Sequence, residues 1–96
     1  LATFSKKTFG MFSGTDERIV LKCNNDLVGV IIDRFGKDID ITPVDDAHFK
    51  VNVTVNVSPQ FLGWIFALGQ GIRITGPDEV VERMRNEIHR LSGQYQ

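Results

Sequence analysis

The chain has 96 residues, 42% of them hydrophobic, with eleven Lys and Arg against twelve Asp and Glu and a formal net charge of -1. That length suits one compact domain around a single core, and the balanced charge excludes the basic footprint that direct DNA binding leaves. Cys23 is the sole cysteine, so an internal disulfide is excluded and a metal site would need the two histidines and scattered acids.

We therefore expect no cofactor and a reducing, cytoplasmic setting. No apolar run approaches the roughly 20 residues that cross a bilayer, so no membrane partner is expected. Residues 1–16 keep no sustained period: Phe4, Phe9, Met11 and Phe12 are interspersed with Lys, Ser and Gly, and a cluster of turn formers follows at Ser13–Glu17. We read 1–16 as a linker from an upstream domain and 17–96 as the folded unit. The start at Leu1 rather than methionine fits a piece of a longer chain.

From Arg18 onward, Ile19, Leu21 and Cys23 alternate with Arg18, Val20 and Lys22, the pattern of a half-buried strand. Asn24 to Asp26 offer side-chain oxygens to the free amides of a helix start, and LVGVIIDRF runs on to a left-handed stop at Gly36. Ile39 and Ile41 open a second strand that Pro43 limits, because proline has no amide for a central ladder. VDDAH makes a turn. In HFKVNVTVNV, Phe49, Val51, Val53, Val55 and Val57 face one way and His48, Lys50, Asn52, Thr54 and Asn56 the other.

Ser58 caps a second helix with Pro59 at its first position, and that helix runs to Leu68. GQG turns into a short strand, IRIT, and GPDE opens a last helix whose Val80, Val81, Met84, Ile88 and Leu91 form a stripe of about 100 degrees. SGQYQ reads as a frayed tail. The order strand, helix, strand, strand, helix, strand, helix holds two split strand-helix-strand units. It predicts an α+β, ferredoxin-like βαββαβ sandwich, a four-stranded antiparallel sheet with two helices on one face, plus a C-terminal helix.

The second helix is greasy on nearly every side, with Phe61, Leu62, Trp64, Ile65, Phe66 and Leu68 covering an arc of about 200 degrees. One reading buries both flanks between sheet and neighbouring helix. The other notes that Gln60, Gly63 and Ala67 would let a further backbone approach, which makes Leu62 and Phe66, with the linker's Phe4, Phe9 and Phe12, candidates for an interface. A swapped N-terminal arm in a homodimer is one form of it.

The linker and strand FGMFSGTDERIVLKC, the DRFG of Asp33–Gly36, and the run from Trp64 through Leu68-Gly69 to Ile72, Ile74 and Pro77 together resemble the C-terminal extension domain of WYL-domain transcriptional regulators. That resemblance implies a bacterial DNA-binding regulator in which the WYL domain senses an effector and the extension supports dimerisation and relays the signal. It also implies partnership with the WYL domain of the same chain, an effector of unknown identity, and DNA contact only through a helix-turn-helix domain. Neither a helix-turn-helix nor a Trp-Tyr-Leu tripeptide occurs here, so no DNA-binding or effector residue carries over.

The outward sheet face supplies Arg18, Lys22, Lys50, Asn52 and Arg73, read either as a solvated surface or as a face that binds a small molecule or nucleotide or docks the neighbouring domain. An RNA-recognition motif would stack bases on aromatics from this face, but its third-strand positions here are Lys50, Asn52 and Thr54, and the first strand offers Val20 and Lys22. His48 and His89 read as surface residues, Asp45 and Asp46 as turn formers, Cys23 as a small core residue. GQGIRITGP lacks the Gly-Lys-Ser/Thr ending of a phosphate loop. No nucleophile is paired with a base, so no enzyme is expected.

Overall fold

A computed structural model describes residues 16–96; the linker phenylalanines Phe4, Phe9 and Phe12 lie outside the described residues. Strand β1 spans Asp16–Asn24, helix α1 Val28–Phe35, β2 Asp40–Pro43, β3 His48–Asn56, α2 Pro59–Ala67, β4 Ile72–Gly76 and α3 Asp78–Gln94. Short 3-10 turns at Asn25–Leu27 and Gly69–Gly71 precede α1 and β4. The four strands form one antiparallel sheet in the order β2-β3-β1-β4. That is the ferredoxin-like arrangement read from the order of elements, with a third helix at the end.

The sheet is organised around the long β1–β3 ladder, which runs from Asp16 opposite Asn56 to Asn24 opposite His48. Alternation places Ile19, Leu21 and Cys23 of β1 and Phe49, Val51, Val53 and Val55 of β3 on one buried face. Ile72 and Ile74 of β4 continue it, and Ile31, Phe35, Phe61, Leu62, Ile65 and Val80 close it from the helices as one cluster. Trp64 stands edge-on to Phe35 with ring centroids 5.6 Å apart, joining α1 to α2 across the top of the core. Val57 lies just beyond β3 and is only half-buried.

The ends of the elements follow local chemistry, with instructive departures. Ser58 Oγ accepts the Phe61 amide at 3.2 Å and Pro59 occupies the first turn, as the sequence implies. At α1 no side chain caps the first turn. Asn25 instead donates its side-chain amide to the Asp46 carbonyl at 2.9 Å, while its backbone N–H bonds the Ala47 carbonyl at 2.9 Å. The start of α1 is thus tied to the β2–β3 turn, a long-range partner that local sequence does not reveal. Gly36 does end α1, with φ at +90°, a conformation that side chains with a Cβ rarely adopt.

Within the GPDE that opens α3, Pro77 is the N-cap, its carbonyl accepting the Val80 and Val81 amides. The SGQYQ tail is corrected, since α3 continues through Gln94 and takes Ser92 and Gly93 into its last turns. Pro43 falls on β2, a sheet edge where a missing amide is tolerated. Two substitutions test these ends. Ser58→Ala should cost about 1 kcal/mol in urea denaturation by releasing the α2 cap. Gly36→Ala should cost about 1 kcal/mol or more because its backbone cannot relax to a negative φ without moving the chain.

Candidate functional site

The polar face of the sheet is built by the same alternation that builds the core. Register sets Thr42 opposite Lys50, Lys50 opposite Lys22, and Lys22 opposite Arg73, so one straight row crosses all four strands. Further along the face, Arg18 lies opposite Thr54, and Asn52 lies opposite both Val20 and Asp40. Arg18 reaches Asp40 at 3.6 Å in an exposed ion pair. Among the described residues, Lys22, Lys50 and Arg73 enter no ion pair. The five polar-face candidates thus share one surface, with three of them in contact register and Arg18 already paired.

At one end of this face, Asp45 Oδ1 accepts the Ala47 amide at 2.8 Å and contacts His48 Nδ1 at 2.8 Å. The Ala47 bond first, and then His48, hold the Asp45 carboxyl below its usual range. This pair closes the tight turn between β2 and β3, the role read for Asp45 from the sequence. His89 is exposed on α3. No group of three His, Cys, Asp or Glu among the described residues is arranged to hold a metal.

The opposite side of the molecule carries an apolar groove of about 690 Å³ between α2 and the second half of α3. Leu62, Gly63, Phe66, Met84, Ile88 and Leu91 are among its lining residues. Burial falls along α3: Val80 is sealed, Val81 and Met84 are half-buried, and Ile88 is 56% exposed. The apolar stripe of α3 therefore serves the core only in its first turns. Of the interface candidates, Leu62 is seated in the core with one side to the groove, whereas Phe66 is 73% exposed.

Ile88, Leu91 and Tyr95 also line the groove and were not singled out as interface residues from sequence. The signal for the first two was the stripe itself, whose length exceeds what a sheet this narrow can cover. Glu17 at the entry of β1 accepts a 2.6 Å hydrogen bond from Arg83 Nη2 and fixes α3 beside the point where residues 1–15 join the fold.

A family model for the WCX domain matches residues 15–92, from the residue before β1 to the last turns of α3. The chain belongs to the WCX-domain family. WCX is the C-terminal domain of WYL-domain regulators, which agrees with the resemblance read from FGMFSGTDERIVLKC, DRFG and the Trp64–Pro77 run. Membership associates this chain with a regulator family that is generally non-catalytic. No curated protein matches it. No helix among the described residues is long and apolar enough to cross a membrane.

Within this WCX domain, Cys23 is fully buried beside Leu21 on the inner face of β1, and burial pushes its thiol up to about 11. The native state holds this proton between the ordinary value of 9.0 and about 11, where the unfolded chain has released it. Stability supplied by the neutral thiol is therefore complete below that window and falls as pH rises through it. Denaturation midpoints should drop across this alkaline range in the parent and not in Cys23→Ala. Alkylation of the native protein near neutral pH should be slow and become fast on unfolding.

Proposed function

We propose that this WCX domain is the non-catalytic regulatory and oligomerisation module of a bacterial, cytoplasmic WYL-type transcriptional regulator, relaying effector sensing by the WYL domain to a DNA-binding part elsewhere in that regulator. The observation that carries the reading is the exposed apolar groove between α2 and α3. A second copy of the chain is the occupant it fits best. An isologous contact must carry both a projection and a hollow on one patch, and here the exposed Phe66 ring stands beside the open position of Gly63. The surrounding charges also suit a copy of the same surface, because Glu82 with Arg85 and Glu87 with Arg90 are paired along α3, at 3.0 and 2.8 Å.

The relay has a physical route in the Glu17–Arg83 ion pair. Glu17 lies where the linker enters, and Arg83 lies on the helix whose later turns line the groove. A shift in the approach of the upstream chain would bear on α3 and so on the dimer contact. With a net charge of -1, the domain has no general attraction for DNA, which leaves DNA contact to a helix-turn-helix domain.

Light scattering over a concentration series tests the reading. The parent should be dimeric, and Phe66→Glu should be a folded monomer because it places a charge in an apolar contact. A parent that stays monomeric throughout, or a Phe66→Glu variant that still dimerises, would remove this groove from the proposal. Gly63→Ala should behave differently. Its added methyl meets nothing within 4 Å, so the monomer gains about 0.5–1 kcal/mol of helix stability while the dimer, losing close approach, weakens.

A further inference from the structure

We propose that the Lys50–Lys22–Arg73 row on the outer sheet face is a binding site for a linear oligophosphate, such as the phosphate chain of a nucleoside triphosphate, held through its phosphates and not its base. Register puts the row on the outer face of the sheet, with Arg73 on the β4 edge, where it also lines a second groove shared with Phe66 and Ile88.

The argument begins with an electrostatic cost. Like charges set directly opposite on adjacent strands repel, and this sheet does so twice in succession, Lys50 against Lys22 and Lys22 against Arg73. The ladder sets its other charged residues against neutral partners, as with Arg18 against Thr54 and Asp40 against Asn52. Among the described residues no carboxylate pairs with any of the three. Asp40, the acid of β2 on this face, already holds Arg18. The chain carries a net charge of -1, so the row is a local reversal of its overall sign.

Geometry then narrows the ligand. Two inter-strand steps place the outer cations about 10 Å apart at the backbone, with Lys22 half-buried between them. The row is straight because one register line defines it, so it matches an anion whose charges are also in line. Arg73 contributes a planar fork that can take two phosphate oxygens, and the lysines contribute mobile point charges. Thr42, opposite Lys50 on β2, adds a hydroxyl at the end of the line. The outward positions beside the row are Val20, Asn52 and Thr75 on one side and Asn24 and His48 on the other; none is Phe, Tyr or Trp, and the one ring among them, His48, is held by Asp45 at 2.8 Å, so a base has no free platform to stack on. Recognition rests on phosphate alone.

Calorimetric titration of the 96-residue chain at low ionic strength, with inorganic triphosphate, ATP and a short oligothymidylate, tests this. Triphosphate and ATP should bind saturably with similar affinity, and added salt should weaken both. Lys22→Ala, Lys50→Ala and Arg73→Ala should each weaken triphosphate binding about tenfold, the loss expected for one charge-assisted contact. Lys37→Ala, in the loop after α1, should not. Without ligand, Lys22→Ala should raise the unfolding temperature, because it relieves both repulsive pairs, and triphosphate should raise that of the parent.

Leu91→Glu, which also puts a charge in the α2–α3 groove but lies outside the groove that Arg73 lines, should bind triphosphate as the parent does, which separates this proposal from the dimer reading. Absence of saturable triphosphate binding, or an equal loss in Lys37→Ala, overturns the site. Oligothymidylate binding without triphosphate binding overturns it too, and would assign the row to a nucleic-acid backbone.

Discussion

The fold depends on the β1–β3 ladder. Nine consecutive register pairs join the two strands, and on each strand the apolar side chains fall on alternate positions. A slip of one residue would carry Ile19, Leu21 and Cys23, or Val51, Val53 and Val55, from the core into water. That penalty makes the register nearly unique. The other elements take their positions from it: β2 and β4 add to the two sides of the pair, and the helices cover the face where the valines stand.

One consequence is that the inner and outer faces are not separately adjustable. Holding Leu21 opposite Val51 also sets Lys22 opposite Lys50, and adding β4 with Cys23 opposite Ile72 brings Arg73 into the same line. The cationic row is therefore maintained by the hydrophobic core, whose burial is worth far more than the repulsion between exposed side chains. Electrostatic strain that would separate isolated lysines is sustained here by packing on the other side of the sheet. The two faces of this WCX domain have opposite character for the same reason.

The helical side shows a different division of labour. α1 and α2 cover the sheet, and Trp64 of α2 joins them by its edge-on contact with Phe35, while Phe61 of its own helix packs beside it. α3 spans Asp78–Gln94, but only its first turn is sealed in the core. Its later apolar residues face α2 across the groove with water on the far side, and the Glu17–Arg83 pair connects it to the entry of the chain. A helix tied down at one end and apolar at the other suits a contact that responds to what precedes β1, which is the basis of the regulatory reading.

Most of the architecture was legible in the residues themselves. The alternation of HFKVNVTVNV, the Ser58-Pro59 start and the Gly36 stop act over a few residues, and short-range stereochemistry is what a sequence encodes most directly. Family membership was legible for the same reason, through the order and spacing of short apolar patterns. Other features needed the tertiary structure because their causes lie far apart in the chain. Asn25 is held by Asp46 and Ala47, not by its own helix, and the continuation of α3 through Gln94 was hidden by a glycine and polar residues. Sequence alone identified which side chains leave the sheet on its polar side and which stripe of α3 is apolar. Only the assembled sheet decided that Lys50, Lys22 and Arg73 stand in line, and only the packing of α3 decided that Ile88 and Leu91 stay outside the core, because register and burial arise from partners that no local pattern names.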